Sequence, residues 1–142
     1  MNHSRPDLLL RAMAVLAIAF GLLTIASGGL TLFGGDSARQ SAGAYVPFVL
    51  WFNFAAGFAY VIAGAGLWLQ RLWAARLAAG IAAATVLVFA AFGVHVMTGG
   101  AYEARTVAAM TLRSVVWLAI AWLAGSRIRT LQGTAPRPKR PR

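Results

Sequence analysis

The chain has 142 residues, of which 60% are hydrophobic and 11% are charged, with a formal net charge of +10. A soluble globular domain carries about 25% charged residues, so the composition excludes that class and indicates a membrane protein. The chain has no cysteine, which excludes disulfides, thiolate metal sites and thiol redox chemistry. Of the 13 basic residues only Lys139 is a lysine, a bias typical of proteins from GC-rich bacterial genomes.

The positive charge is concentrated at one end of the chain. Six of the 13 basic residues lie within residues 127–142, so they are not spread over the face of a soluble domain. This distribution argues against nucleic acid as a partner and favours the cytoplasmic side of a membrane protein. We expect residues 126–142 to form a disordered basic tail that contacts anionic lipid head groups.

The first apolar run, residues 8–33, is interrupted only by Arg11 and small hydroxyl residues. A bilayer core requires about 20 apolar residues, so the run is long enough to span it. The basic residues at its start resemble the beginning of a signal peptide. However, the run is longer than the apolar core of such a peptide and continues past the candidate cleavage site at residues 25–27. We therefore expect an uncleaved membrane anchor.

Three further apolar runs follow a polar loop at residues 34–44. The four spans are predicted at about residues 8–33, 45–69, 73–97 and 102–124. Pro47 lies in the first turn predicted for the second span, and a tight joint at Gln70 and Arg71 leads into the third. Residues 1–125 are thus predicted to form one membrane domain of four spans.

The topology is predicted from the basic residues. If the N-terminus is cytoplasmic, the outside loops hold only Arg39 and Arg105, whereas ten basic residues lie inside. The positive-inside rule therefore places both termini in the cytoplasm. The predicted fold is an all-α membrane protein, a four-transmembrane-helix bundle with N-in/C-in topology in a bacterial inner membrane.

Arg113 lies about ten residues into the fourth span, near the middle of the bilayer. An arginine at that depth costs about 2.5–3.5 kcal/mol and usually faces a bundle interior or a cavity. The three acids of the sequence, Asp7, Asp36 and Glu103, all lie in loops or at span ends. Three interpretations follow: Arg113 lines a pocket, meets an acid of another subunit, or extends to lipid head groups.

Helical side chains lean toward the N-terminus of their helix, which brings Arg113, Asn53 and His95 toward one another in the outer half of the predicted bundle. Ser27 or Thr31 of the first span could extend this set. The predicted ligand-binding residues are Arg113, Asn53, His95, Tyr60, Thr106 and Trp117, the last as an aromatic face at i+4 from Arg113. The polar residues predicted at the outer face are Tyr102, Glu103 and Arg105.

The sequence offers no catalytic constellation: it has no buried acid pair, no Ser-His-Asp set and no HExxH motif. A Cu(I) site would require His95, Met97 and Met110, which are too loosely placed, and we assign no metal. One intramembrane histidine does not supply the paired axial ligands of a haem between helices. The ligands that suit Arg113 are a quinone carbonyl and a carboxylate or phosphate head group, so quinone is the one cofactor considered.

Two segments resemble DoxX-like proteins. The first is LLLRAMAVLAIAFGLLTIASGGLTLFG, in which an Arg precedes an apolar helix containing glycines. The second is GFAYVIAGAGLWLQRLWAARLAAGIAAATVLVFAAFGVHV, a Gly-rich helix, an Arg-bearing turn and an Ala-rich helix with a His near its end. The resemblance covers about residues 8–124. It implies a four-helix bundle in a bacterial membrane, sometimes a subunit of a quinone-linked oxidoreductase such as thiosulfate:quinone oxidoreductase.

The predicted function is that of a small integral membrane protein, a subunit or accessory factor of a membrane complex, with quinone-linked redox chemistry as one setting. Membrane lipids and either other membrane subunits or further copies of the chain are the expected partners. Two alternatives remain open: a small-solute transporter or channel that works as an oligomer, and a structural anchor or assembly factor. No internal repeat or broken helix favours the transporter.

Overall fold

The computed structural model describes residues 8–133, and these residues form helices and turns without a strand. The helices are α1 (Leu8–Phe33), α2 (Gly35–Ala42), α3 (Pro47–Trp68), α4 (Leu72–Met97) and α5 (Ala104–Gly133). All except α2 are long and apolar enough to cross a membrane. This finding indicates a multi-pass membrane protein built on four helices, as the sequence predicted.

The long helices pack in the order α1, α3, α4, α5. Helix α1 lies mainly against α3, α3 also contacts α4, and α4 packs along α5, whereas α1 and α5 touch at few positions. The end of the bundle that carries α2 and the α4–α5 turn is called the α2 end below. The opposite end carries the start of α1, the α3–α4 turn and the end of α5.

Glycines bring α1 and α3 into close contact. A Cβ atom on Gly21 would lie 2.8 Å from the Gly57 carbonyl oxygen, and one on Gly64 would lie 2.9 Å from the Ala14 carbonyl oxygen. Small residues of this kind let helix backbones approach each other in a bilayer, where apolar surface alone does not drive association. The α1–α3 pair is therefore the most tightly packed edge of the bundle.

The apolar core is divided between the two ends of the bundle. The larger cluster includes Leu10 and Ala17 of α1 with residues of all the other long helices. The smaller cluster, at the α2 end, consists of Val46, Val49, Phe92 and Met110, and α1 contributes nothing to it. Toward the α2 end, the side of α1 that faces the bundle interior is therefore not part of an apolar cluster, unlike its side at the opposite end.

The polar loop predicted at residues 34–44 is wrong in part, because α2 occupies Gly35–Ala42. None of its residues is buried, so the apolar pattern that marks packed helices is missing. Asp36 in its first turn and Arg39 in its last turn complement the partial charges of a helix dipole. Arg39 also donates to the Leu32 carbonyl at the end of α1, 3.3 Å away.

The disordered tail predicted from residue 126 is wrong for residues 126–133, which continue α5. Ile128 is 1% exposed and belongs to the large core cluster. It follows Ala124 and Ile120 at i+4 spacing, so the buried face of the helix runs past the last strongly apolar segment. Residues 134–142, the rest of the predicted tail, lie outside the described residues.

We expect Gly64→Ala to destabilise the protein, because the added methyl group meets the Ala14 carbonyl and the Ile18 side chain. Overpacking of this kind costs about 1–3 kcal/mol. Gly80→Ala is the matched control, since a Cβ there meets nothing within 4 Å. Thermal unfolding in detergent, followed by circular dichroism, should give a lower Tm for Gly64→Ala only. Equal Tm values for the two variants would contradict the close approach.

Candidate binding site

Helices α1, α3 and α5 surround a polar cavity of about 350 Å³ at the α2 end. This volume is at the lower end of the range of about 300–1,000 Å³ found for small-molecule sites. The cavity exists because α1 and α5 barely touch and because α1 takes no part in the apolar cluster at this end. The packing order of the helices therefore creates the site.

The α1 wall of the cavity carries three hydroxyl residues, Thr24, Ser27 and Thr31. Their spacing of three and four residues puts them on one face of the helix. Ser27 donates to the Thr24 carbonyl at 3.3 Å, and Thr31 donates to the Ser27 carbonyl at 3.1 Å. Because these two hydroxyl protons are held by the backbone, the oxygens are left as acceptors.

Arg113 reaches into the cavity from α5. It lies nine residues after Ala104, the first residue of the helix, or about 14 Å along the axis. One terminal nitrogen donates to the Thr24 hydroxyl at 3.3 Å, and the guanidinium carbon lies 5.7 Å from the centroid of the Phe20 ring. The Nε atom is buried without a hydrogen-bond partner among residues 8–133. The guanidinium thus retains donor capacity next to the cavity.

Asn53 of α3 also lines the cavity. Its Oδ1 atom is buried and accepts no hydrogen bond within the described part of the chain. A buried polar group without a partner costs about 1–3 kcal/mol. The two unpaired atoms, Arg113 Nε and Asn53 Oδ1, thus belong to residues that line the cavity, although the atoms themselves are buried.

Three aromatic rings form a floor beneath the cavity, one or two helical turns deeper than its polar residues. Tyr60 lies parallel to Phe20 with ring centroids 5.8 Å apart, and its centroid is 4.6 Å from that of Trp117. Tyr60 and Trp117 are both fully buried. This aromatic floor separates the cavity from the opposite half of the bundle.

The segment from Ser41 to Tyr45, here called the strap, crosses the α2 end of the cavity. Arg105 donates to the backbone carbonyls of Ser41 and Ala42. The Ala44 amide donates to a carboxylate oxygen of Glu103 at 2.8 Å. Two charged residues at the start of α5 therefore hold the backbone of the strap.

Gly43 gives the strap its conformation. Its φ of +67° is in the region that favours glycine, and a Cβ there would collide with the Glu103 carboxylate. The adjoining residues Ala42 and Tyr45 line the cavity. The sharp turn at Gly43 thus brings the strap over the mouth of the cavity.

The structure brings together some of the residues that the sequence grouped. Arg113, Asn53 and Thr106 line the cavity, as do Ser27 and Thr31. Tyr60 and Trp117 do not line the cavity and lie deeper, in the aromatic floor beneath it. The aromatic face beside the Arg113 guanidinium is Phe20, not Trp117 as the i+4 spacing predicted.

His95 does not join this group. Its Nε2 atom lies 3.1 Å from the Ala101 carbonyl oxygen, and its ring packs edge-on to Phe48. The physical reason is that α4 packs against α3 and α5, whereas the cavity opens on the α1 side of the bundle. The histidine thus stabilises the α4–α5 turn.

The polar residues predicted at the outer face have separate structural roles. Arg105 and Glu103 hold the strap, and Arg105 also lines the cavity. Tyr102 packs edge-on to Phe92, with centroids 6.0 Å apart. Residues 8–133 contain no group of three or more His, Cys, Asp or Glu residues that could hold a metal ion.

Sequence reasoning missed Thr24, Tyr45 and Ala109 in the cavity wall and Phe20 beside the guanidinium. A signal for Thr24 was present, because hydroxyl residues recur at positions 24, 27 and 31 along one helix face. No sequence signal marked Phe20 as the ring beside the guanidinium, since the sequence does not distinguish it from the other apolar residues of α1.

The chain matches no model of a known protein family, no curated protein and no solved structure. The resemblance to DoxX-like proteins therefore stays a prediction.

We expect Glu103→Ala to loosen the strap, because the Ala44 amide loses its acceptor. A hydrogen bond of this kind contributes about 1 kcal/mol, so hydrogen exchange at Ala44 should accelerate about five-fold. Glu103→Gln keeps an oxygen acceptor and should have a smaller effect. Hydrogen–deuterium exchange of the protein in detergent measures both variants. Unchanged exchange in Glu103→Ala would show that Glu103 does not hold the strap.

Proposed function

We propose that this protein is a small integral membrane protein that acts as an accessory subunit of a membrane complex and binds a ligand in the cavity beside Arg113. The observation that supports the proposal is the incomplete hydrogen bonding of the Arg113 guanidinium. Its hydrogen-bond partner among the described residues is the neutral Thr24 hydroxyl, and its Nε atom is buried and unpaired. A ligand that accepts hydrogen bonds would give the guanidinium a further partner from the cavity.

Binding fits the cavity better than chemistry does. The residues that line it offer guanidinium, hydroxyl and amide groups, but among residues 8–133 no His, Asp or Glu is part of the lining. A hydrolytic mechanism requires a positioned general base, and none of these groups is an effective one at neutral pH. The proposed role is therefore to hold a molecule.

A quinone is the redox candidate for this site. Its carbonyl oxygens accept hydrogen bonds, and the donors of Arg113 beside the Phe20 ring fit such an acceptor. A bound quinone would supply electron transfer to the complex, and this chain would hold and orient it. The quinone rests on this donor set, and the subunit role rests on the resemblance to DoxX-like proteins.

The aromatic floor argues against the transporter alternative. A channel or carrier requires a route that continues from the cavity to the other end of the bundle, and the contacting rings of Phe20, Tyr60 and Trp117 lie in that direction. Buried unpaired atoms also occur outside the cavity lining, at Tyr60, Thr85 and Trp117, so it is the place of Arg113 and Asn53 in the cavity wall that favours a ligand over the anchor alternative.

In the proposed topology the α2 end faces outward. That end carries the basic residues Arg39 and Arg105, whereas Arg11, Arg71, Arg76, Arg127 and Arg129 lie at or near the opposite end. The positive-inside rule then puts the opposite end and both termini in the cytoplasm. The cavity would accordingly lie in the outer half of a bacterial inner membrane.

The proposal predicts that the protein, purified in a mild detergent from bacterial membranes, carries a bound small molecule detectable by native mass spectrometry. Arg113→Met should lose it, because a charge-assisted hydrogen bond contributes about 1.5–3 kcal/mol. Arg76→Met is the matched control, since it removes the same charge at an exposed position of α4. Equal amounts of bound molecule in wild type and Arg113→Met would contradict the proposal, as would a wild type that carries none and binds no added molecule in an Arg113-dependent way.

A further inference from the structure

The cavity contains two guanidinium groups. Arg105 lines its mouth and Arg113 lies eight residues further along α5, about 12 Å deeper along the helix axis. Within residues 8–133 no carboxylate lines the same space. Glu103, the nearest acid in sequence, accepts from the Ala44 amide in the strap. Glu103 and Arg105 both border Gly43, so the charge of Arg105 has an acid nearby, whereas among the described residues no acid lines the cavity beside Arg113.

A neutral acceptor would satisfy the hydrogen bonds of Arg113 but not its charge. The guanidinium lies among apolar helices, where an uncompensated charge is costly and where attraction to an opposite charge is less screened than in water. An oxoanion supplies both the acceptor atoms and the compensating charge, in hydrogen bonds about twice as strong as neutral ones. Carboxylate and phosphate groups share this chemistry.

The shape of the cavity indicates how such an anion would arrive. Residues of the strap line the α2 end, and the aromatic floor lies beneath the deep end. The remaining side is the gap between α1 and α5, which touch at few positions. A small residue lines the cavity on each side of this gap. Ser27 of α1 is exposed, and Ala109 of α5 is partly buried.

A gap between two membrane-spanning helices faces the acyl chains of the bilayer, not water. We infer that the ligand is an amphiphile with a phosphate or carboxylate head group, which enters sideways between α1 and α5. The head group lies between Arg105 and Arg113, and the apolar chain extends through the gap past Ser27 and Ala109. This inference rests on the proposed function and names the class of its ligand.

The test uses the full chain in a maltoside detergent and five probes. Oleoyl lysophosphatidic acid and oleate are anionic amphiphiles, monoolein has the same chain with a neutral head, decylubiquinone is a neutral carbonyl acceptor, and inorganic phosphate is an anion without a chain. Apparent affinities come from the rise in Tm with probe concentration, since a ligand that binds only the folded state stabilises it.

The two anionic amphiphiles are expected to raise the Tm, and the three other probes to bind at least ten-fold more weakly. Arg113→Met should weaken binding of oleoyl lysophosphatidic acid about ten- to hundred-fold. Ala109→Phe keeps the charge but obstructs the gap, and should weaken binding at least ten-fold. Its matched control is Ala108→Phe, an exposed position outside the cavity lining, which should bind as wild type does.

Ser27→Phe puts the same ring on the opposite side of the gap, so a folding defect in one of these variants leaves the other as the test. Undiminished binding of oleoyl lysophosphatidic acid in the folded Phe variants would overturn the lateral entry. Equally tight binding of inorganic phosphate would overturn the amphiphile. Equally tight, Arg113-dependent binding of decylubiquinone or monoolein would overturn the anionic head group.

The last of these outcomes would leave the proposed function intact, because a ligand would still be held by Arg113. The two proposals are separated further by native mass spectrometry. If wild type carries a bound molecule that Arg113→Met lacks, while no anionic amphiphile binds, only the inference fails. If no bound molecule and no Arg113-dependent probe is found, both fail.

Discussion

The charge of Arg113 inside an apolar bundle is the constraint on which the arrangement of the α2 end depends. A guanidinium about 14 Å along a helix that is long and apolar enough to span a membrane requires hydrogen-bond partners and a polar surface around it. The structure gives it the Thr24 hydroxyl and the Phe20 ring of α1, on the far side of a cavity. Were α1 and α5 packed as tightly as α1 and α3, the side chain would have no room.

The glycines of α1 and α3 make this arrangement possible. They draw α1 onto α3, so that α1 is held firmly without extensive contact to α5. The gap that results is polar at the α2 end, where Thr24, Ser27 and Thr31 line it, and closed by aromatic rings below. Close packing on one edge of the bundle therefore creates an open site on the other, and the strap held by Glu103 and Arg105 covers its mouth.

Prediction from the sequence succeeded for the features that hydropathy alone decides. Helix length follows from runs of apolar residues, and Arg113 and Asn53 stand out because polar groups are rare in such runs. It was wrong where helices form without that signal. Residues 35–42 are helical although none is buried, and residues 126–133 continue α5 because Ile128 extends its buried face. The sequence also grouped His95 with Arg113, because both residues have a similar predicted depth in the membrane. Depth alone does not tell which helices adjoin.

Hydropathy and charge are local properties of the chain, so the class of protein, the four long apolar helices and the deeply placed arginine can be predicted from the residues alone. The order in which the helices pack, α1, α3, α4, α5, cannot be predicted in this way. This order sets His95 apart and brings Thr24 and Phe20 to Arg113. The physical reason is that lipid-facing and protein-facing apolar residues look alike in sequence, so the faces that meet depend on the close fit of small residues such as Gly57 and Gly64.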